Sequence, residues 1–187
     1  RTVWALTSQL RAGDFVPEAY ELRFLGGKID RVDVCETEDK VYVKVLDYKT
    51  GSKAFDVVAL YHGLQLQLMI YMDAAVSVEE KRHPGKEVIP AGVFYYRIQD
   101  PLVDKTEDKE EADRAILKQL KPDGIIPLDT EILKHLDRDA SGESLAVPVK
   151  YNKNGTVSGY SKVVSGEDFA AMISHARKKV DDARTRI

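Results

Sequence analysis

The 187-residue sequence holds a single cysteine, Cys35, which excludes an internal disulfide and any cysteine-rich zinc or iron–sulfur site built from this chain alone. Cys35 itself reads as a small strand residue. No apolar run approaches the roughly 18 residues of a membrane span. The opening Arg1-Thr-Val-Trp-Ala-Leu lacks both a starting Met and a signal-peptide pattern, so the sequence reads as a piece of a longer protein resident in the cytoplasm. Positive charge is not in excess. The net charge is −3, so the surface as a whole is no magnet for polyanions, and any such partner must be held by a local patch or a second protein. Repeats, low-complexity tracts and linkers are absent, and so is a G-x-x-x-x-G-K-[ST] phosphate loop, to which Thr50-Gly-Ser-Lys53 bears only superficial likeness. What is present, 43% hydrophobic and 32% charged residues, has the balance of a soluble globular protein with one substantial core.

Periodicity predicts a helix at the start (Val3, Leu6, Leu10), then an extended piece over 19–24 that Gly26-Gly27 interrupts. Residues 28–35 and 41–49 are rich in β-branched side chains and flank the charged turn Glu36-Thr-Glu-Asp-Lys40, the pattern of a hairpin. Residues 56–75 are apolar nearly all round and predict one buried helix. A strand over 91–98 follows, then a charged stretch (104–114) read as a solvated face, leading into a helix to about Leu120. Pro122-Asp-Gly124 is expected to turn the chain into a short helix near 130–137. A strand near 145–151 and an Asn154-Gly155 turn come next. Ser165 and Asp168 predict the cap of a last helix with Phe169, Met172, Ile173, Ala176 and Val180 on one face. The expected architecture is an α/β domain with a central mixed sheet flanked by helices, a core over about 20–100 and an elaboration over about 101–187.

The chemistry-bearing pattern lies in the hairpin. Side chains alternate across a strand, so Val41, Val43, Val45, Asp47 and Lys49 share one face, and Asp30, Val32 and Val34 share one face of the preceding strand. If Glu36 pairs with Val41, Asp30 falls opposite Asp47; a two-residue slip makes them diagonal neighbours. In either register the carboxylates would lie roughly 5 to 8 Å apart. Two acids that close among valines resist ionisation unless cationic charge is supplied. Lys49 brings one charge, and a hard divalent cation bound through carboxylate oxygens would bring two more. A surface ion pair between Asp47 and Lys49 is the plain alternative. Gln67 and Tyr71, four residues apart in the apolar helix, share a face. A buried amide there needs partners, either in a neighbouring loop or at the border of the acidic site.

Three segments together carry a resemblance: Gly27-Lys-Ile-Asp-Arg-Val-Asp33, Val45-Leu-Asp-Tyr-Lys-Thr-Gly51 and Tyr61-His-Gly-Leu-Gln-Leu-Gln-Leu-Met-Ile-Tyr71. In this order they resemble the RecB-type branch of the PD-(D/E)XK nuclease superfamily, and within it the nuclease domain of the B subunits of ATP-dependent helicase/deoxyribonucleases. The segments 89–101 and 162–169 are also similar to those subunits, so the likeness spans nearly the whole chain.

The resemblance implies a restriction-endonuclease-like core and Mg²⁺- or Mn²⁺-dependent hydrolysis of DNA. Asp30, Asp47 and the Tyr48 carbonyl would be metal ligands, Lys49 the catalytic lysine, and Gln67 with Tyr71 the Q-x-x-x-Y pair. It also implies a partner A subunit, single strands of DNA delivered by helicase motors, and a role in processing double-strand breaks for recombinational repair. Such a reaction needs a metal, because cleavage of a phosphate ester can require on the order of 20 kcal/mol of barrier lowering and general acid–base help supplies only about 3 to 5 kcal/mol.

Three departures from the family pattern stand out. The iron–sulfur cysteines that flank this domain in the family have no match here, the stretch between Phe24 and Gly27 is short, and none of His62, His83, His135 and His175 matches the histidine of several relatives' metal sites. Glu21 is an outer-carboxylate candidate. Arg177, Lys178 and Lys179 are candidates for phosphate contact or for a match to the helix dipole. Two rival readings stay open: a nuclease-like module that binds DNA without cutting, and an interaction domain that docks partner subunits.

Overall fold

A computed structural model describes residues 1–24, 27–51, 54–103, 108–139 and 141–185. Six strands lie side by side in chain order: β1 (Val16–Phe24), β2 (Gly27–Glu36), β3 (Lys40–Lys49), β4 (Glu87–Arg97), β5 (Asp123–Pro127) and β6 (Val163–Val164). β1, β2 and β3 form an antiparallel meander, β4 pairs parallel to β3, β5 antiparallel to β4, and β6 parallel to β5. The helices are α1 (Thr2–Ala12), α2 (Val57–Tyr61), α3 (Gln67–Arg82), α4 (Lys109–Gln119), α5 (Thr130–Leu136) and α6 (Gly166–Arg184). The expected α/β architecture, a mixed sheet flanked by helices, is thus the one observed.

Both faces of the sheet are covered, as a parallel β3–β4 crossover requires. On one face Val32, Val41, Val43 and Val45 pack with Leu68, Met69, Met72 and Ala75 of α3, and Phe169 and Ala176 of α6 close that layer. On the other, Tyr42, Leu46, Phe94 and Tyr96 meet Ala5 of α1, Ile116 of α4 and Ile132 and Leu133 of α5. Pro90 sits inside β4 where the β3 register shifts between Val43 and Lys44, a bulge that tolerates a residue without an N–H. Among the described residues no helix is long and apolar enough to cross a membrane.

Several expectations are corrected. Residues 56–75 do not form one helix: α2 ends at Tyr61, and Gly63 at φ +81 breaks the chain before α3 starts at Gln67. Leu64 is consequently 77% exposed instead of sharing the buried stripe. α3 also runs on to Arg82, where Lys81 and Arg82 complement its C-terminal dipole. Pro122-Asp-Gly124 opens a strand, β5, where only a turn is expected. Residues 145–151 make isolated bridges, Glu143 to Lys150 and Tyr151 to Val157, and no continuous strand.

The Asn154-Gly155 turn forms, closed by Asn152 and Thr156. Ser165 caps α6 through the Asp168 N–H at 3.0 Å. Leu25 and Gly26, Ser52 and Lys53, and 104–107 of the charged stretch lie outside the described residues, and the question of the short stretch before Gly27 falls there too.

β5 is admitted to the sheet by close approach at Gly124, where a Cβ would lie 1.9 Å from the Val93 carbonyl oxygen. Gly124→Ala is therefore expected to lower unfolding free energy by about 3 kcal/mol or more, through overpacking against backbone that cannot yield. Urea titration of the two proteins measures it; an unchanged midpoint would show that β5 moves away without cost.

Candidate active site

Lys49 is the hub of the site. β3 carries Val41, Val43 and Val45, each 0% exposed, and then Asp47 at 3%, so the carboxylate terminates a stripe with no solvent contact. Asp47 is ion-paired with the Lys49 ammonium, two residues along the same face. Lys49 Nζ also donates to Gln67 Oε1 at 3.1 Å, and Gln67 Nε2 donates to the Tyr71 hydroxyl at 2.8 Å. The break at Gly63 is what brings Gln67 to this place, because it makes Gln67 the first residue of α3. Phe24 packs edge-on to the Tyr71 ring at 5.6 Å. Lys49 Nζ further lies 5.6 Å from the centroid of the Tyr95 ring on β4. Burial, with the charges of Asp47 and Tyr71 beside it, pushes the Tyr95 phenol up to about 12, so it stays protonated at neutral pH.

Asp30 reaches the same end of the sheet from β2. The observed register is the first of the two considered, running from Glu36 against Val41 to Arg31 against Leu46 and stopping one residue short of Asp30 and Asp47. The ladder ends at Arg31, and there the Asp30 side chain replaces it: Oδ2 accepts the Tyr48 N–H at 2.9 Å. Ile29 joins the α3-side cluster three residues from Val32, so strict alternation slips over Asp30 and Arg31. A strand residue points its N–H and C=O to the same neighbour, alternating from residue to residue. Lys49 gives its carbonyl to the Ile98 N–H on the β4 side at 2.8 Å. Tyr48 therefore turns both its backbone groups toward β2 and Asp30.

Beneath Tyr48, on the opposite face, lies a buried charge network that the sequence reading missed. Arg31 and Asp33, 3% and 0% exposed, form a two-pronged pair at 2.6 and 2.7 Å. Arg31 Nη1 donates to the Tyr48 hydroxyl at 3.3 Å, and Lys44 Nζ lies 3.1 Å from Asp33 Oδ2. Burial alone would lower the Arg31 pKa, but the hydrogen bonds and charge of Asp33 outweigh burial and raise it; for Lys44 burial prevails over Asp33 and lowers it. The signal was in the alternation: residues 31 and 33 fall on the face away from the valine stripe, where unpaired charges cannot survive.

The other candidates lie elsewhere. Glu21, at φ 52 on β1, pairs with Lys28 at 2.9 Å with its side chain 71% exposed, and does not turn toward Asp30. His83 meets Glu36 and Glu79, His135 meets Asp14, and His175 bonds the Tyr61 carbonyl, against whose ring His62 packs edge-on. Arg177 is bound to Asp73 of α3, while Lys178 and Lys179 are exposed on α6. Cys35 is buried on the far face, its thiol pushed up to about 11 by burial and by Asp14.

Among the described residues no three His, Cys, Asp or Glu side chains converge in a metal-binding group. The candidate donors at this end of the sheet, the carboxylates of Asp30 and Asp47 and the carbonyl of Tyr48, are all hard oxygens. That set suits a small divalent cation completing its sphere with water and substrate oxygens.

Comparison with known proteins agrees with this chemistry. A sequence model of the PD-(D/E)XK nuclease superfamily matches residues 1–185. The chain is 39% identical to the B subunit of the ATP-dependent helicase/deoxyribonuclease of Alkaliphilus metalliredigens, over 97% of this chain and 18% of that protein. The corresponding B subunits from Alkaliphilus oremlandii and Lachnoclostridium phytofermentans are 36% and 38% identical, over 97% and 95% of this chain and 18% and 17% of theirs. The chain thus spans less than a fifth of the length of these curated relatives.

The buried network makes its own prediction. Asp33→Ala leaves Arg31 and Lys44 buried without their counter-charge and should cost about 3 to 5 kcal/mol. Chemical denaturation reads the loss; a change under about 1 kcal/mol would mean that the network is not a structural support.

Proposed function

Since the chain belongs to the PD-(D/E)XK nuclease superfamily, we propose that it hydrolyses DNA phosphodiester bonds with Mg²⁺ or Mn²⁺ held between Asp30 and Asp47. The supporting observation is the hydrogen-bonded line from Asp47 through Lys49 and Gln67 to Tyr71, with Asp30 fixed on the Tyr48 N–H beside it. When bound, the cation acidifies a water, polarises the phosphoryl oxygen and stabilises the leaving oxyanion.

The chain's own groups divide the remaining work. Asp30, Asp47 and the Tyr48 carbonyl supply oxygen ligands. Lys49 keeps its ammonium beside Asp47 and orients the attacking water or neutralises charge growing on the phosphate. Gln67 is fixed at both ends of its amide, accepting from Lys49 and donating to Tyr71. The Tyr71 hydroxyl, already an acceptor, retains its own proton to donate to a phosphate oxygen.

The shared sequence with helicase/deoxyribonuclease B subunits supports a setting for this chemistry. The domain would act within a helicase–nuclease, beside a partner A subunit, on single strands released from double-strand breaks for recombinational repair in the cytoplasm. An iron–sulfur cluster in such an assembly would draw its cysteines from outside this chain. One observation favours a second reading, a nuclease-like module that binds DNA without cutting: among the described residues, no third His, Cys, Asp or Glu side chain completes a metal-binding group.

Two measurements separate the readings. Calorimetric titration with Mn²⁺ is expected to show binding that Asp47→Ala abolishes. Mg²⁺-dependent cutting of linear single-stranded DNA should fall at least about 10³-fold in Asp47→Ala and Lys49→Ala, with Lys49→Ala retaining metal binding. Unchanged metal binding in Asp47→Ala, or equal cutting by all three proteins, contradicts the proposal.

A further inference from the structure

Lys118, Lys121, Lys150 and Lys162 line one cleft of about 360 Å³ with Asp123, Glu143 and the ring of Tyr160. Lysines exceed carboxylates there by two, on a chain whose net charge is −3. The cleft is tied to the candidate active site through the sheet. Asp47 on β3 pairs with Tyr95 on β4, and Tyr95 with Asp123 on β5, so the three form one row. Directly paired residues share a face, and two strand spacings are about 10 Å.

Asp123 in turn anchors the cleft. Its Oδ2 accepts the Phe55 N–H at 2.7 Å and its Oδ1 accepts from Lys162 Nζ. Lys121 and Lys118 share Glu143 at 2.8 and 3.4 Å, and Lys150 is exposed. Tyr160 is 91% exposed, the most open of the large hydrophobic side chains described.

We infer that this cleft is a binding site for single-stranded DNA, beside Asp123 of β5. The lysines take backbone phosphates and Tyr160 stacks on an unpaired base, the combination by which single strands are held without sequence preference. A base inside a duplex has no free face for Tyr160, and a run of aspartates and glutamates has no ring to lay on it. The inference rests on the nuclease reading for DNA as the ligand, but the binding itself is measured without cutting.

Fluorescence anisotropy of a labelled oligothymidylate, in EDTA and over a range of salt, tests it whether or not Asp30 and Asp47 support hydrolysis. Tyr160→Ala is expected to weaken binding by about 5- to 150-fold, with Tyr160→Phe restoring it. Lys150→Gln should reduce the slope of log affinity against log salt by about 0.7. Unchanged affinity and slope in these variants overturn the proposal, as does failure of the wild-type protein to hold the oligonucleotide. So does an equal loss of blunt-duplex binding in Tyr160→Ala, or displacement of the oligonucleotide by polyglutamate of matched charge as readily as by unlabelled oligothymidylate.

Discussion

A carboxylate buried at the end of a valine stripe is the constraint around which this domain is built. Asp47 is 3% exposed, and a charge so placed is held only by opposite charge delivered through rigid structure. Lys49 supplies it from the same strand face, and Gln67 at the start of α3, itself bonded to Tyr71, fixes Lys49. The arrangement is overdetermined in position and underdetermined in charge. Lys49 brings a single positive charge, and a divalent cation between Asp30 and Asp47, as proposed, would bring two more.

Strand geometry explains how such a site survives on so small a frame. Register in the β2–β3 hairpin is locked by the need to bury Val32, Val34, Val41, Val43 and Val45 together, and this fixes where Asp47 ends up, while Asp30, beyond the last pair, is held by the Tyr48 N–H. The far face reinforces the same place. Arg31 grips Asp33 and also the Tyr48 hydroxyl, so the residue whose backbone meets Asp30 is held from below. The row from Asp47 across Tyr95 to Asp123 then carries the site's alignment two strands further, to the lysine-lined cleft.

Much of this was legible in the sequence, and the exceptions have physical reasons. Alternating valines gave the hairpin and narrowed its register to two, because period-2 burial admits few alternatives. The buried helix over 56–75 was misread because apolar content does not reveal a break; Gly63 alone carried that information, and its positive φ is decided by the packing on both sides. β5 and β6 are five and two residues long, too short for a periodic signal, and Pro122-Asp-Gly124 looks like a turn until Gly124 is seen lying against Val93. Among the site residues, Asp30, Asp47, Lys49, Gln67 and Tyr71 were named from pattern and resemblance. Arg31 and Asp33 were not, although alternation sets both on the face away from the valines, and the distant lysines were not because their convergence depends on contacts that no local spacing encodes.

The claim on which the rest depends is that Asp30 and Asp47 share one cation. Crystals of the protein soaked in Mn²⁺ and measured near the manganese absorption edge examine it directly. The account predicts an anomalous peak within about 2.5 Å of an oxygen of each carboxylate. A fully soaked crystal with no peak there, or with manganese bound to only one of the two acids, would contradict it.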